Sequence, residues 1–179
     1  MSSISLPEGF GANATNVRYI FANCSSLLSL DLSDDFFDSP STAVQTPTTG
    51  MFYNCYSLRS VNLPTALSTI TNYSGMFYRC SSLTSLDFPD GFGSRAYATN
   101  AANNVFSGCT SLSTITGDLA MWVSFSLKDC PLTHESLLNV LNSIQTVTGK
   151  PTLTLGTNNL AKLTDDEKKI ATDKGWILA

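Results

Sequence analysis

Charged side chains are scarce in this chain. Asp, Glu, Lys and Arg together make up 13% of its 179 residues, about half the share of an ordinary soluble domain. The 10 basic residues are outnumbered by 14 acidic ones, for a net charge of −4. Replacing the counterions of a phosphate backbone needs clustered Lys and Arg, so nucleic acid is excluded as an expected partner. Long apolar runs are also missing, and no segment has the length needed to span a bilayer. Met1 to Phe10 has neither a basic start nor an apolar centre, so no export signal is expected within these residues.

Catalytic vocabulary is equally thin. There is one histidine, His134, and no G-x-S-x-G, phosphate-binding glycine loop, HExxH or CxxC pair. Any Ser-His or Cys-His chemistry would depend on His134. It stands beside Glu135 in the first turn of an expected helix, where an exposed polar residue is ordinary. No catalysis and no cofactor are expected.

Hydrophobic residues are plentiful at 42%, enough for one continuous core, and their order is repetitive. Aligning Cys24, Cys55, Cys80 and Cys109 places Phe21, Phe52, Phe77 and Phe106 three residues earlier, preceded by Ile20, Met51, Met76 and Val105. Ser26, Ser57, Ser82 and Ser111 follow the cysteines at the second place, and Leu27, Leu58, Leu83 and Leu112 at the third. Leu30, Val61, Leu86 and Ile115 fill the sixth. The cysteines are 31, 25 and 29 residues apart, so insertions fall between copies and spare the motif, as in a stacked repeat protein.

The motif has a mechanical reading. Leu30 and Leu32 alternate with Ser29 and Asp31, and Val61 and Leu63 with Ser60 and Asn62, the period of a short strand with one buried face. Each copy is expected to add one rung to a parallel sheet. Phe, Cys and the first Leu are spaced by three, which suits a tight turn or one helical turn over the same core. No copy can bury its apolar face alone, so stability must come from stacking.

The segment from Met51 to Pro64, Met-Phe-Tyr-Asn-Cys-Tyr-Ser-Leu-Arg-Ser-Val-Asn-Leu-Pro, resembles the BspA-like class of leucine-rich repeats, as does Met76 to Pro89. The resemblance covers roughly residues 1–130. It implies an α/β repeat fold: a right-handed leucine-rich-repeat solenoid with short parallel strands joined by irregular or short helical turns. It also implies a bacterial surface or secreted protein that binds or adheres to a protein or glycan ligand without catalysis. A structural segment of a larger fibre, particle or multi-domain assembly is the alternative.

Repeat motifs lie near 20–32, 51–64, 76–89 and 105–116, within an expected solenoid over residues 1–132. Ser3-Ile4-Ser5-Leu6-Pro7 matches Ser60-Val61-Asn62-Leu63-Pro64, a partial repeat at 3–7. Gly9-Phe10-Gly11 and Ala14-Thr15-Asn16 recur as Gly91-Phe92-Gly93 and Ala98-Thr99-Asn100. The chain is thus expected to begin inside the array, either as part of a longer repeat protein or with association through its N-terminal face; simple tolerance of a truncated rung is the alternative. Near 127–132 the motif degenerates, with Leu127 in place of Phe and Pro131-Leu132 after Cys130.

Residues 133–179 form an expected C-terminal cap of helix, strand, helix and strand. Leu137, Leu138, Val140, Leu141 and Ile144 recur at helical spacing after Thr133, a good N-cap. Thr152 to Leu155 alternates like a strand, Thr164 to Glu167 reads as a capping box, and Lys174-Gly175 ends that helix before the apolar Trp176-Ile177-Leu178.

Several groups could meet a ligand. Ser29, Ser60, Ser85 and Thr114, beside Asp31, Asn62, Asp87 and Thr116, would form an outward ladder suited to a glycan or an extended polar peptide. Small polar residues also occupy exposed strands with no ligand. Tyr53, Tyr56, Tyr73, Tyr78 and Tyr97 offer aromatic contact area. Tyr53 and Tyr78 share a column, a sugar- or protein-binding pair if exposed and core if buried. The five cysteines read as a column of free, packed thiols rather than a metal site, because their spacings exceed those of zinc motifs; five is odd, and a disulfide between rungs is the lesser reading. Asp31, Asp34, Asp35 and Asp38, interrupted by Phe36 and Phe37, read as a solvated acidic turn before a calcium site. Asn13-Ala14-Thr15, Asn23-Cys24-Ser25 and Asn72-Tyr73-Ser74 fit the glycosylation pattern, as composition alone would produce.

Overall fold

A computed structural model describes residues 3, 4, 6, 7, 9–11, 16–32, 36, 48–96 and 99–179. Its strands are short and parallel. β1 (Ser3–Ile4), β2 (Ser29–Asp31) and β3 (Ser60–Asn62) form one sheet, and β4 (Ser85–Phe92) pairs with β5 (Thr114–Leu119) in a second. The register joins equivalent positions of successive copies: Ser29 to Ser60, Leu30 to Val61, Asp31 to Asn62, and Ser85 to Thr114, Leu86 to Ile115, Asp87 to Thr116. Ser3 and Ile4 pair with Ser29 and Leu30 in the same register.

The sheet divides between β3 and β4, but the stack does not. Just before the strands, the Arg59 N–H donates to Leu28 O (2.8 Å), Thr84 to Arg59 O (3.3 Å), Ser113 to Thr84 O (3.0 Å) and Thr133 to Ser113 O (2.9 Å), one chain of bonds through every copy. β4 and β5 outgrow the three-residue rungs. Their register shifts between Phe88 and Phe92, and Gly117 fits only because it lacks a side chain: a Cβ there would lie 2.0 Å from the Phe88 oxygen.

Opposite the strands, each copy turns tightly and stacks by bonds running in the other sense. The N–H groups of Phe21, Phe52 and Phe77 donate to the carbonyls of Met51, Met76 and Val105, at 3.1, 2.8 and 3.0 Å. Those of Asn23, Asn54 and Arg79 donate to Tyr53, Tyr78 and Ser107, at 2.7, 2.8 and 2.8 Å. Asn23, Asn54, Arg79 and Gly108 all hold positive φ, which explains the preference for Asn and Gly just before the cysteine. Inside, the phenylalanines stack nearly parallel, Phe21 on Phe52 at 5.6 Å, Phe52 on Phe77 at 5.4 Å and Phe77 on Phe106 at 6.1 Å.

The cysteines are free thiols, four buried and Cys24 half-buried. The buried ones form a ladder. Cys55 donates to Phe21 O (3.0 Å), Cys80 to Phe52 O (3.2 Å), Cys109 to Phe77 O (3.1 Å) and Cys130 to Phe106 O (3.8 Å). Burial pushes the Cys55 and Cys109 thiols up to about 12 and raises Cys80 and Cys130 as well.

Beyond Cys109, side chains of the last third take over the bonds that a further copy would make. The Gly108 N–H, equivalent to those of Asn54 and Arg79, donates to the Asp129 carboxylate (3.0 Å). Along the edge of β5, Ser136 Oγ accepts the Ile115 N–H (3.0 Å) and Asn139 Nδ2 donates to Gly117 O (3.0 Å). Both side chains come from α1 (His134–Ser143), whose N-cap Thr133 accepts the Ser136 N–H. Leu127, which stands where the other copies have Phe, has its carbonyl satisfied by Asn159 Nδ2 (3.3 Å). The same buried amide reaches Cys130 O at 2.8 Å and Leu155 O at 3.2 Å.

The last third also holds two elements that the sequence pattern did not suggest. β6 (Phe125–Ser126) starts a parallel sheet with β7 (Thr152–Thr154) and β8 (Ile177–Leu178). The five-residue α2 (Gly156–Leu160) precedes α3 (Asp165–Asp173), whose capping box is formed by Thr164 and Glu167. α2 is too short and polar to show a helical period; its contribution is Asn159. Lys174, just after α3, extends its ammonium to the carbonyls of Leu141, Asn142 and Ile144 at the end of α1, where a cation is favoured. Trp176 is buried edge-on to Phe125 and donates to Gln145 O (2.8 Å).

Two measurements check this packing. In the folded protein one thiol, Cys24, should react quickly with a disulfide reagent, and the remaining four only on unfolding. A thiol whose folded pKa is raised keeps its proton after the unfolded chain has lost it, so stability should fall from about pH 8.5 upward, by roughly 1.4 kcal/mol per pH unit for each protected thiol. Unfolding curves that stay level from pH 8.5 to 11 would contradict the buried ladder. Asn159→Ala removes three hydrogen bonds to buried carbonyls and should cost about 1–3 kcal/mol in urea unfolding, whereas the exposed neighbour Asn158→Ala should change stability by less than about 0.5 kcal/mol.

Candidate functional site

The polar residues of the strand face are brought together copy by copy, and they bond one another. Asn62 Nδ2 donates to Asp31 Oδ1 (2.8 Å), and Thr116 Oγ1 to Asp87 Oδ1 (2.6 Å). Ser29, Ser60 and Ser85 are exposed and Thr114 is half-buried. Ser29 and Asp31 pair with Ser60 and Asn62, and Ser85 and Asp87 with Thr114 and Thr116, in two sheets whose copies stay joined by the Thr84 N–H to Arg59 O. In each pair of rungs one oxygen of the carboxylate accepts from the neighbouring copy.

The turn face presents the aromatics. Tyr53 and Tyr78, both half-buried, stack at 4.6 Å with their planes 17° apart. Tyr19 joins them edge-on to Tyr53 at 6.1 Å and is 53% exposed. The Arg79 guanidinium lies 5.2 Å from the Tyr78 ring centre. The Tyr56 hydroxyl beside Arg79 holds it still more firmly in its charged form. Together with Thr49, Ser74, Gly75 and Asn104, the three rings line a recess of about 190 Å³.

Tyr19 was hidden from the column reading because its equivalents are Gly50, Gly75 and Asn104, positions of positive φ rather than aromatic ones. Its ring occupies the space over Gly50, where a Cβ would approach it to 2.2 Å. The clue was a tyrosine standing in a glycine and asparagine column.

Tyr73 is core, fully buried, donating to Ile70 O and accepting the Gly93 N–H (3.1 Å); burial pushes its hydroxyl up to about 12. Tyr97, Asn13, Ala14, Thr15, Asp34, Asp35, Phe37 and Asp38 lie outside the described residues. Asn72 spends its side-chain oxygen on the Ser74 N–H (3.0 Å), and Asn23 accepts from Asn54 (3.0 Å). His134 is not an isolated surface group, since its Nε2 lies 2.9 Å from Glu167 Oε1 and so ties α1 to α3. Glu167 is held below the usual carboxylate range chiefly by the Thr164 N–H, with His134 adding to the effect. Among the described residues, no cluster of three or more His, Cys, Asp or Glu could hold a metal ion, and no helix is long and apolar enough to cross a membrane.

Neither the curated proteins nor the solved structures contain a match to this chain. The description "BspA type leucine rich repeat region" matches residues 1–116 and 37–148, with six copies. With the repeated Phe-x-x-Cys-x-Ser-Leu motif and its paired parallel strands already in view, the chain belongs to the BspA-type leucine-rich-repeat family.

Proposed function

We propose that this chain is a non-catalytic recognition module: a right-handed solenoid over residues 1–132, closed by a C-terminal cap over residues 133–179, that binds a protein or glycan at or outside a cell surface. The observation that carries the reading is the row of Tyr19, Tyr53 and Tyr78 on the turn face, with Arg79 at its end. Stacked, partly exposed tyrosines offer large contact area at little entropic cost, which is what recognition surfaces use. The strand face is the weaker candidate, because Asp31 and Asp87 are engaged by Asn62 and Thr116. The absence of catalysis is supported by thiols that are buried, bonded to carbonyls and raised in pKa, and by a histidine paired with Glu167. The cap reading is supported by Asp129, Ser136 and Asn159, which take the bonds of an absent further copy.

A second reading, a segment of a larger assembly associating through its N-terminal face, is favoured by the first full copy. Ile20 is 39% exposed and Cys24 is half-buried, whereas their equivalents Met51, Met76, Cys55 and Cys80 are fully buried. A copy of this chain or a preceding repeat could cover that face.

The two readings separate on one experiment. The purified chain and its Tyr53→Ala/Tyr78→Ala variant are compared on a glycan array and on an array of extracellular proteins, with oligomeric state measured alongside. Recognition through the aromatic row predicts a monomer that binds on one array and loses roughly tenfold in the variant, as when a contact hot spot is removed. Binding unchanged by the variant would overturn the aromatic row as the contact surface, and no binding on either array would overturn the recognition reading itself. A dimer dissociated by Ile20→Asp would support the assembly reading.

A further inference from the structure

A recess larger than the one beside the tyrosines lies on the last third of the chain. It has a volume of about 630 Å³, within the range of roughly 300–1,000 Å³ that holds small ligands. Three segments build it: the chain entering β6, the connection from α1 to β7, and the turn after β4. Trp122 forms an aromatic wall and is 37% exposed, unlike Trp176, which is core. Facing the recess are Ser94, Gln145, Thr146, Thr148 and Lys150, whose side chains make no hydrogen bond to another described residue.

Part of the backbone around the recess is engaged in the fold. The Gln145 N–H donates to Met121 O (3.0 Å) and its carbonyl accepts from Trp176 Nε1 (2.8 Å). The Val147 N–H donates to Lys174 O (2.7 Å), the Thr152 N–H to Ser124 Oγ (2.9 Å), and Pro151 O accepts from Ile177 (2.9 Å). A strand-like peptide would need a free backbone edge to extend, and Gln145, Val147, Pro151 and Thr152 spend these groups within the fold. Lining the same recess are a part-exposed indole, hydroxyls, an amide and one ammonium. Lys150 is held at φ +50°, a conformation unusual for a side chain of its kind, and strained residues gather at binding sites.

We infer that this recess is a saccharide-binding site, in which Trp122 stacks against the apolar face of a pyranose ring while Gln145, Thr146 and Thr148 bond its hydroxyls. Lys150 at the rim selects sugars bearing a carboxylate. The inference rests on the recognition-module reading but names a surface separate from the tyrosine row, so the two can fail independently.

The test is titration of the full chain with three (1→4)-linked trisaccharides, of glucose, N-acetylglucosamine and galacturonic acid, followed by calorimetry and tryptophan emission. At least one should bind with a stoichiometry of one and shift the emission of Trp122. Trp122→Ala should weaken that binding by roughly tenfold, as loss of one aromatic contact does. Gln145→Ala should weaken it without altering thermal unfolding, Lys150→Ala should weaken only the galacturonate, and Tyr53→Ala/Tyr78→Ala should leave all three unchanged. The inference is overturned if none of the three binds at millimolar concentration, or if binding survives both Trp122→Ala and Gln145→Ala. Binding lost only in the tyrosine variant would overturn it and leave the recognition reading standing.

Discussion

The carbonyl oxygen of the phenylalanine in each copy is the point on which the stack depends, because it serves two donors at once. It accepts the N–H of the cysteine three residues later, closing the turn of its own copy, at 3.3 Å for Cys24 and 3.1 Å for Cys55, Cys80 and Cys109. It also accepts the thiol of the next copy's cysteine. One atom therefore fixes both the shape of a copy and its distance to the next. The column requires a side chain that is small, apolar enough to be buried and able to donate a weak hydrogen bond, a combination that cysteine supplies. A larger aliphatic residue would push the phenylalanine stack apart and leave the second lone pair of each carbonyl without a partner.

A stack held this way has no natural end, since every copy exposes donors and acceptors meant for another. At the C-terminal side these are met one by one with side chains of matching chemistry. A carboxylate replaces a carbonyl at Gly108, a hydroxyl replaces a carbonyl at Ile115, and an amide N–H replaces a thiol at Leu127. The substitutions are spread over Asp129, α1 and α2, so these separate elements are bound to the array by the array's own bonding pattern. Hydrophobic cover from α1 excludes water, but the polar replacements set the register in which α1 lies on β5.

This difference explains what could be read from the sequence. The columns of Phe, Cys, Leu and the strand residues were legible because four copies vote on each position, and the pairing of Ser29 with Ser60 and Ser85 with Thr114 follows the same alignment. The helix α1 announced itself through Thr133 and its apolar spacing, and α3 through the Thr164 to Glu167 capping box. Asp129, Ser136 and Asn159 were not legible, because each acts once and looks like any surface polar residue. Tyr73 fits the same logic in reverse: its hydroxyl suggests a surface, yet Ile70 and Gly93 satisfy it inside the core. At the strand face the alignment located the residues but not their state, since a sequence does not reveal that Asp31 has been claimed by Asn62.

Repetition and recognition thus draw on different residues. A position repeated in every copy is constrained by its neighbours above and below, and its polar atoms tend to be consumed by the stack, as the thiols, asparagines and strand carboxylates are. Apart from the Tyr53 and Tyr78 pair, the chemistry left over for a partner comes from departures from the repeat. Tyr19 stands where other copies place glycine or asparagine, and Arg79 occupies a left-handed position otherwise given to Asn or Gly. Trp122, Gln145 and Lys150 belong to no column at all. In a fold whose strongest signals are packing signals, the residues that break the pattern without damaging the stack are therefore the ones free to meet a ligand.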